Sequence, residues 1–134
     1  MSAARHRSKA ADDEDAAQLK FGPEFSGEIQ KGCIVISEVK LLLEQAGKKS
    51  DNAVFKKTLD YVSTFARFHE PETVASVRAV FEGSGLADFE MVQIANLCPA
   101  SAEEAKALIP SLGERDDDTL QQYLNQIASL RKYQ

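Results

Sequence analysis

The sequence predicts an all-α fold, a helical bundle preceded by a partly extended N-terminal arm. Three observations carry the prediction. Beyond Gly32, apolar residues recur every three or four positions almost to the C-terminus. The stretches are closed by glycine or proline, at Gly47, Gly83, Pro99 and Pro110. Strand-like alternation is confined to the neighbourhood of Leu19 and Phe21. A length of 134 residues, 43% of them hydrophobic, suits one core with a tail or two.

Residues 1–18 form the first segment, a charged tail. Arg5, His6, Arg7 and Lys9 precede Asp12, Asp13, Glu14 and Asp15, and no large apolar side chain follows Met1. Such a stretch buries too little to offset its ordering entropy, so it is expected to be mobile. Its basic cluster suits nuclear import or RNA contact only weakly, because four carboxylates follow at once.

Residues 19–50 hold the arm and a first helix. Leu19, Phe21 and Phe25 are three large apolar side chains in seven residues, too few to bury one another. They need a second surface, and two readings stand open: a strap across the chain's own helices, or an edge strand added to a partner's sheet. Ile34, Val35 and Ile36 are β-branched and would suit a strand. Ser37, however, is a good N-cap, and Val39, Leu42 and Leu43 continue at helical spacing to Ala46.

Residues 51–134 are read as the bundle. Asp51 is expected to cap a helix whose buried stripe is Phe55, Leu59, Val62 and Ala66, widened by Phe65 and Phe68. Pro71 opens a third helix carried by Val74, Val77 and Phe81. The next, Asp88 to Leu97, is apolar nearly all round and belongs at the centre. Ser101 with Glu104 starts a short fifth helix, and Asp118 with Gln121 the last, along which Leu120, Tyr123, Leu124, Ile127 and Leu130 face inward. Arg131 and Lys132 complement the dipole at its end. The expected core includes Phe65, Phe81, Phe89, Ile94, Leu108, Leu124 and Ile127.

The chemistry of an enzyme is missing from the pattern. The two histidines, His6 and His69, cannot assemble a zinc set with Cys33 and Cys98 at ligand spacing, so no metal is expected. Gly83, Ser84 and Gly85 lack the third glycine and preceding strand of a dinucleotide loop. Asp116, Asp117 and Asp118 suit a helix start better than a cation site. The cysteines are read as reduced, small apolar residues. No cofactor and no small-molecule substrate is expected. Sixteen basic against twenty-one acidic residues give a net charge of −5, without the footprint of a phosphate binder. No apolar run approaches the roughly 20 residues that span a bilayer, and no secretory signal stands at the N-terminus, so no membrane partner is expected and the chain reads as intracellular.

The run ANLCPASAEEAKALIPSL, Ala95 to Leu112, resembles the family of the fourth subunit of eukaryotic RNA polymerase II. EDAAQLKFGPEF, SEVKLLLEQ, FKKTLDYVSTFARF, ETVASVR and the ending LQQYLNQIASLRKYQ resemble the same family in the same order. The resemblance implies a C-terminal bundle like the HRDC domain of RecQ-type helicases, without helicase activity. It implies pairing with the seventh subunit, which carries an OB-fold, in a stalk beside the polymerase core that meets nascent RNA mainly through that partner. Residence would be nuclear, with room for a cytoplasmic pool. It tips the arm toward the partner, and the residues expected to bind there are Leu19, Phe21, Phe25, Val39, Leu42 and Leu43. The chain departs from the family pattern in a short Gly47–Ala53 connection and in the glycine- and serine-rich turn Gly83 to Asp88, which weakens a direct RNA contact there. The alternative is a free-standing nucleic-acid-binding module of the same bundle type, for which Lys56, Lys57 and Arg67 form the nearest thing to a basic stripe.

Overall fold

The computed structural model of the chain describes residues 15–21, 32–46 and 52–134. The expectations for most of the charged tail, for Phe25 and for the Gly47 stop lie outside those residues. The described residues contain six α-helices: α1 Ile36–Ala46, α2 Ala53–Phe65, α3 Pro71–Val80, α4 Asp88–Leu97, α5 Ala102–Leu108 and α6 Asp117–Lys132. Short 3-10 turns cover Ala16–Gln18 and Pro110–Leu112. The described residues include no strand, only an isolated antiparallel bridge between Asp15 and Lys20. The fold is an all-α bundle. No helix among the described residues is long and apolar enough to cross a membrane.

Helix starts follow the capping rules, with three shifts from the sequence reading. Ser37 does not cap α1. It lies inside the first turn, 1% exposed, and its Oγ accepts the Phe68 N–H at 3.1 Å. The Glu38 carboxylate reaches back to the Val35 N–H at 2.8 Å, the reciprocal half of a capping box, and Asn96 Oδ1 takes the Ile36 N–H at 2.9 Å. The α2 cap is Asn52, whose Oδ1 accepts from the Val54 N–H at 2.8 Å. For α6 the cap is Asp116, bonded to the Thr119 N–H at 2.9 Å, two residues before the expected Asp118. Gln121, freed from capping, joins α6 to the start of α5: its Oε1 accepts the Ala102 N–H at 2.9 Å and its Nε2 donates to the Ala100 carbonyl at 3.1 Å. Ser101 caps α5 as expected, by way of the Glu104 N–H. The Gly83 and Gly85 turn after α3 has φ of +72° and +74°, which glycine adopts at little cost.

The core gathers Phe68, Val77, Ile94, Leu112, Leu120 and Ile127, each at most 2% exposed. Helix α4 runs through it with Met91, Val92, Ile94 and Ala95 buried, as its all-round apolar sequence requires. Phe81, Leu124 and Ile127 are buried as expected and Phe89 is half-buried. Phe65 and Leu108 are not core residues, since each is 50% exposed. The chain leaves the helix after Phe65, with Ala66 extended at ψ 131°, and this swings Phe68 inward while Phe65 stays outside. On the short α5 the inward line is Ala102, Ala105 and Ile109, and Leu108 falls one residue, about 100°, off it.

Candidate partner-binding face

Helix α1 packs against α2 and touches α3, so the first two helices form a unit set on the rest of the bundle. Its attachment joins apolar packing, with Val35 in the core and Leu41 against it, to a set of polar bonds. Besides the bonds from Ser37 and Asn96, Arg78 of α3 grips Glu38 with two bonds, Nε to Oε2 at 2.9 Å and Nη2 to Oε1 at 2.7 Å. Arg78 Nη2 also donates to the Cys33 carbonyl at 3.2 Å, which ties the residues entering α1 to α3. Below this seam, the Gln134 side chain accepts the His69 N–H and donates to the Arg67 carbonyl, holding the link between α2 and α3.

Electrostatics reinforce the seam. Burial pushes the Glu38 carboxyl up, but the Arg78 hydrogen bonds, the Val35 N–H and the guanidinium charge outweigh it and hold the group below its ordinary range. The hydrogen bond to Glu38 raises Arg78 in turn. Burial pushes the Cys33 thiol up, aided by the Asp88 charge and opposed by Arg78. A carboxyl lowered by folding contributes stability above its unfolded pKa, about 4.3, and loses it as pH falls through the folded value. Thermal melts of Glu38→Gln are therefore expected to fall less steeply than wild type between about pH 5 and pH 3. Parallel curves would deny the pair this role.

Outward from the seam, large apolar side chains stand exposed among polar ones. Eight large apolar side chains are exposed among the described residues, and five of them, Ile34, Leu42, Val54, Tyr61 and Phe65, belong to α1, α2 or the residues just before α1. Val54, Tyr61 and Phe65 share one face of α2 at spacings of seven and four, and the Tyr61 and Phe65 rings lie 4.7 Å apart. The sequence reading missed this second stripe because it assigned the helix a single inward one; the 7 and 4 spacing carried the signal. Leu43, with Leu41, Phe55, Leu59 and Pro71, lines a groove of about 610 Å³.

The six residues expected to bind a partner fall into separate settings. Leu42 is exposed, 55%, and Val39 and Leu43 are half-buried on the same helix. Leu19 and Phe21 are half-buried elsewhere, where the Phe21 ring meets Phe89 at 5.0 Å between centroids. Leu19 sits at φ 56° as the cap of its 3-10 turn, so this stretch is bent rather than extended. Phe25 lies outside the described residues. No group of three or more metal-ligating side chains occurs among the described residues.

Fold and face together define a small helical module whose outward chemistry is apolar surface on its first two helices. Its sequence belongs to the RNA polymerase Rpb4 family, whose profile matches residues 6–131. The chain is 39% identical to DNA-directed RNA polymerase II subunit rpb4 of Schizosaccharomyces pombe, over 94% of this chain and 98% of that one. It is 32% identical to DNA-directed RNA polymerase II subunit 4 of Arabidopsis thaliana, over 92% and 97%. Against subunit RPB4 of Saccharomyces cerevisiae the identity is 36%, over 71% of this chain and 43% of that protein.

Proposed function

We propose that this chain is a non-catalytic subunit of DNA-directed RNA polymerase II, working in the nucleus. It pairs with the seventh, OB-fold subunit to form the stalk near the RNA exit channel, where it supports initiation and meets nascent RNA chiefly through that partner. The observation that carries this reading is the likeness to polymerase II fourth subunits over almost the whole of both chains. The apolar face on α1 and α2 supports it, because exposed large side chains concentrated on one unit mark a surface that another protein covers. The bundle itself is read as HRDC-like.

Capture of the tagged chain from nuclear extract, followed by mass spectrometry, is expected to return a polymerase core and an OB-fold subunit. Recovery of neither overturns the assignment. Leu42→Ala tests the face with purified partner. The residue is half exposed, so the melt is expected to move by less than about 0.5 kcal/mol. Pairing is expected to weaken by about 1–2 kcal/mol, roughly five- to thirtyfold in Kd. An unchanged Kd would take Leu42 out of the interface. Tight, salt-resistant RNA binding by the chain alone would favour a free-standing nucleic-acid module instead.

A further inference from the structure

A second surface is a cleft of about 430 Å³ between the C-terminal half of α6 and the turn that follows α4. Its floor is Pro99, Leu124, Ile127 and Ala128, and Arg131 and Lys132 stand at its edge. Leu124 and Ile127 are almost wholly buried, so the floor is the outer side of the packed core and is held in place. The volume lies in the range of roughly 300–1,000 Å³ typical of sites that take up one compact group.

Charge gathers at one end of this cleft. Arg67 donates from Nε to the Asn96 carbonyl at 3.4 Å, at the close of α4, and joins Arg131 and Lys132 there. Arg67 and Arg131 both bear electrostatically on the Cys98 thiol, which shares the cleft wall. None of the three cations has a carboxylate within ion-pair distance among the described residues. The C-terminal ends of α4 and α6 supply only about half a negative charge each, less than three cations carry. In a chain of net charge −5 this local excess is set against the overall sign. At the far end, Glu104 Oε2 accepts the Ala100 N–H at 2.9 Å and places a carboxylate there.

We propose that the cleft docks an acidic peptide segment of another protein, with one bulky apolar side chain on the floor and its carboxylates toward Arg131 and Lys132. The occupant's acids lie at the α6 end because Glu104 repels them at the other. A nucleic acid is the poorer fit: one ring, Tyr133 under Lys132, stands beside the cleft, but the floor itself is aliphatic and the chain carries a net charge of −5. The proposal is independent of the pairing described above, which uses α1, α2 and the arm.

The test measures fluorescence anisotropy of the full chain at physiological salt. The probes are a fluorescein-labelled peptide with one Phe beside four Asp, the same peptide with Lys for Asp, and a labelled oligouridylate. The acidic peptide is expected to bind with a Kd of about 10–100 μM. Arg131→Glu, which reverses the charge, and Ala128→Trp, which fills the cleft from an exposed position, are each expected to weaken it at least about tenfold, with the melting temperature unchanged in Ala128→Trp and lowered by only a few degrees in Arg131→Glu, where a favourable dipole contact is lost. Full binding retained by either variant overturns the proposal, as does equal binding of the lysine peptide, displacement by oligouridylate at lower concentration, or no acidic-peptide binding up to millimolar protein.

Discussion

Phe68→Ala is expected to cost about 3–5 kcal/mol. The ring is 0% exposed and belongs to the central cluster, so its removal forfeits transfer energy and leaves a cavity that the surrounding side chains fill only in part. For a chain of 134 residues this is a drop of roughly 10–20 °C in melting temperature. Phe65→Ala is the control three residues earlier. Phe65 is half exposed and meets the Tyr61 ring at a tilt, so its loss is expected to stay under about 1 kcal/mol. Thermal or urea melts of the two variants check the contrast. Equal losses would mean that the chain does not leave the helix at Ala66 as described.

The double change Leu19→Ala and Phe21→Ala is expected to act twice. Phe21 meets Phe89 and both residues are half-buried, so the isolated chain should lose about 1–3 kcal/mol. If the same side chains also anchor the seventh subunit, pairing should weaken by more than folding does. Interface anchors cost about 1–4 kcal/mol each on truncation, together several tens-fold or more in Kd. A melt and a titration on the same two proteins check this. Affinity that falls only as far as the folded fraction falls assigns the segment to the chain's own bundle alone.

Much of this fold was legible in the sequence where local rules decide. The limits of α4 follow from a helical pattern closed by Pro99, and the inward line of α6 from the spacing of Leu120, Leu124 and Ile127. Caps slipped by a residue or two where several good candidates stood together, as at Asp116, Asp117 and Asp118. Ser37 and Gln121 escape a local reading for a different reason. Their partners, Phe68 and the Ala100–Ala102 turn, lie 31 and 19 to 21 positions away, and no local pattern announces them. The choice between Phe65 and Phe68 turned on a backbone bend that helical periodicity cannot represent. At the candidate face, Val39, Leu42 and Leu43 were read together from their helical spacing and only Leu42 of them is exposed, whereas the outer stripe of α2 was hidden by a stronger inward one beside it.

The seam that seats α1 and α2 on the bundle sets directional bonds from Ser37, Glu38, Asn96 and Arg78 beside the apolar contacts of Val35 and Leu41, and the bonds determine how a push on the outer face would travel. Apolar contacts let helices slide, but hydrogen bonds of fixed length act as pins. A load applied at Leu42 or Tyr61 would turn the two helices as one lever, with Asn96 handing the torque to α4 and Arg78 handing it to α3. The amide protons of Ile36 and Phe68, held by those pins, are then the ones whose exchange with solvent should report any such motion first, ahead of the helices on either side.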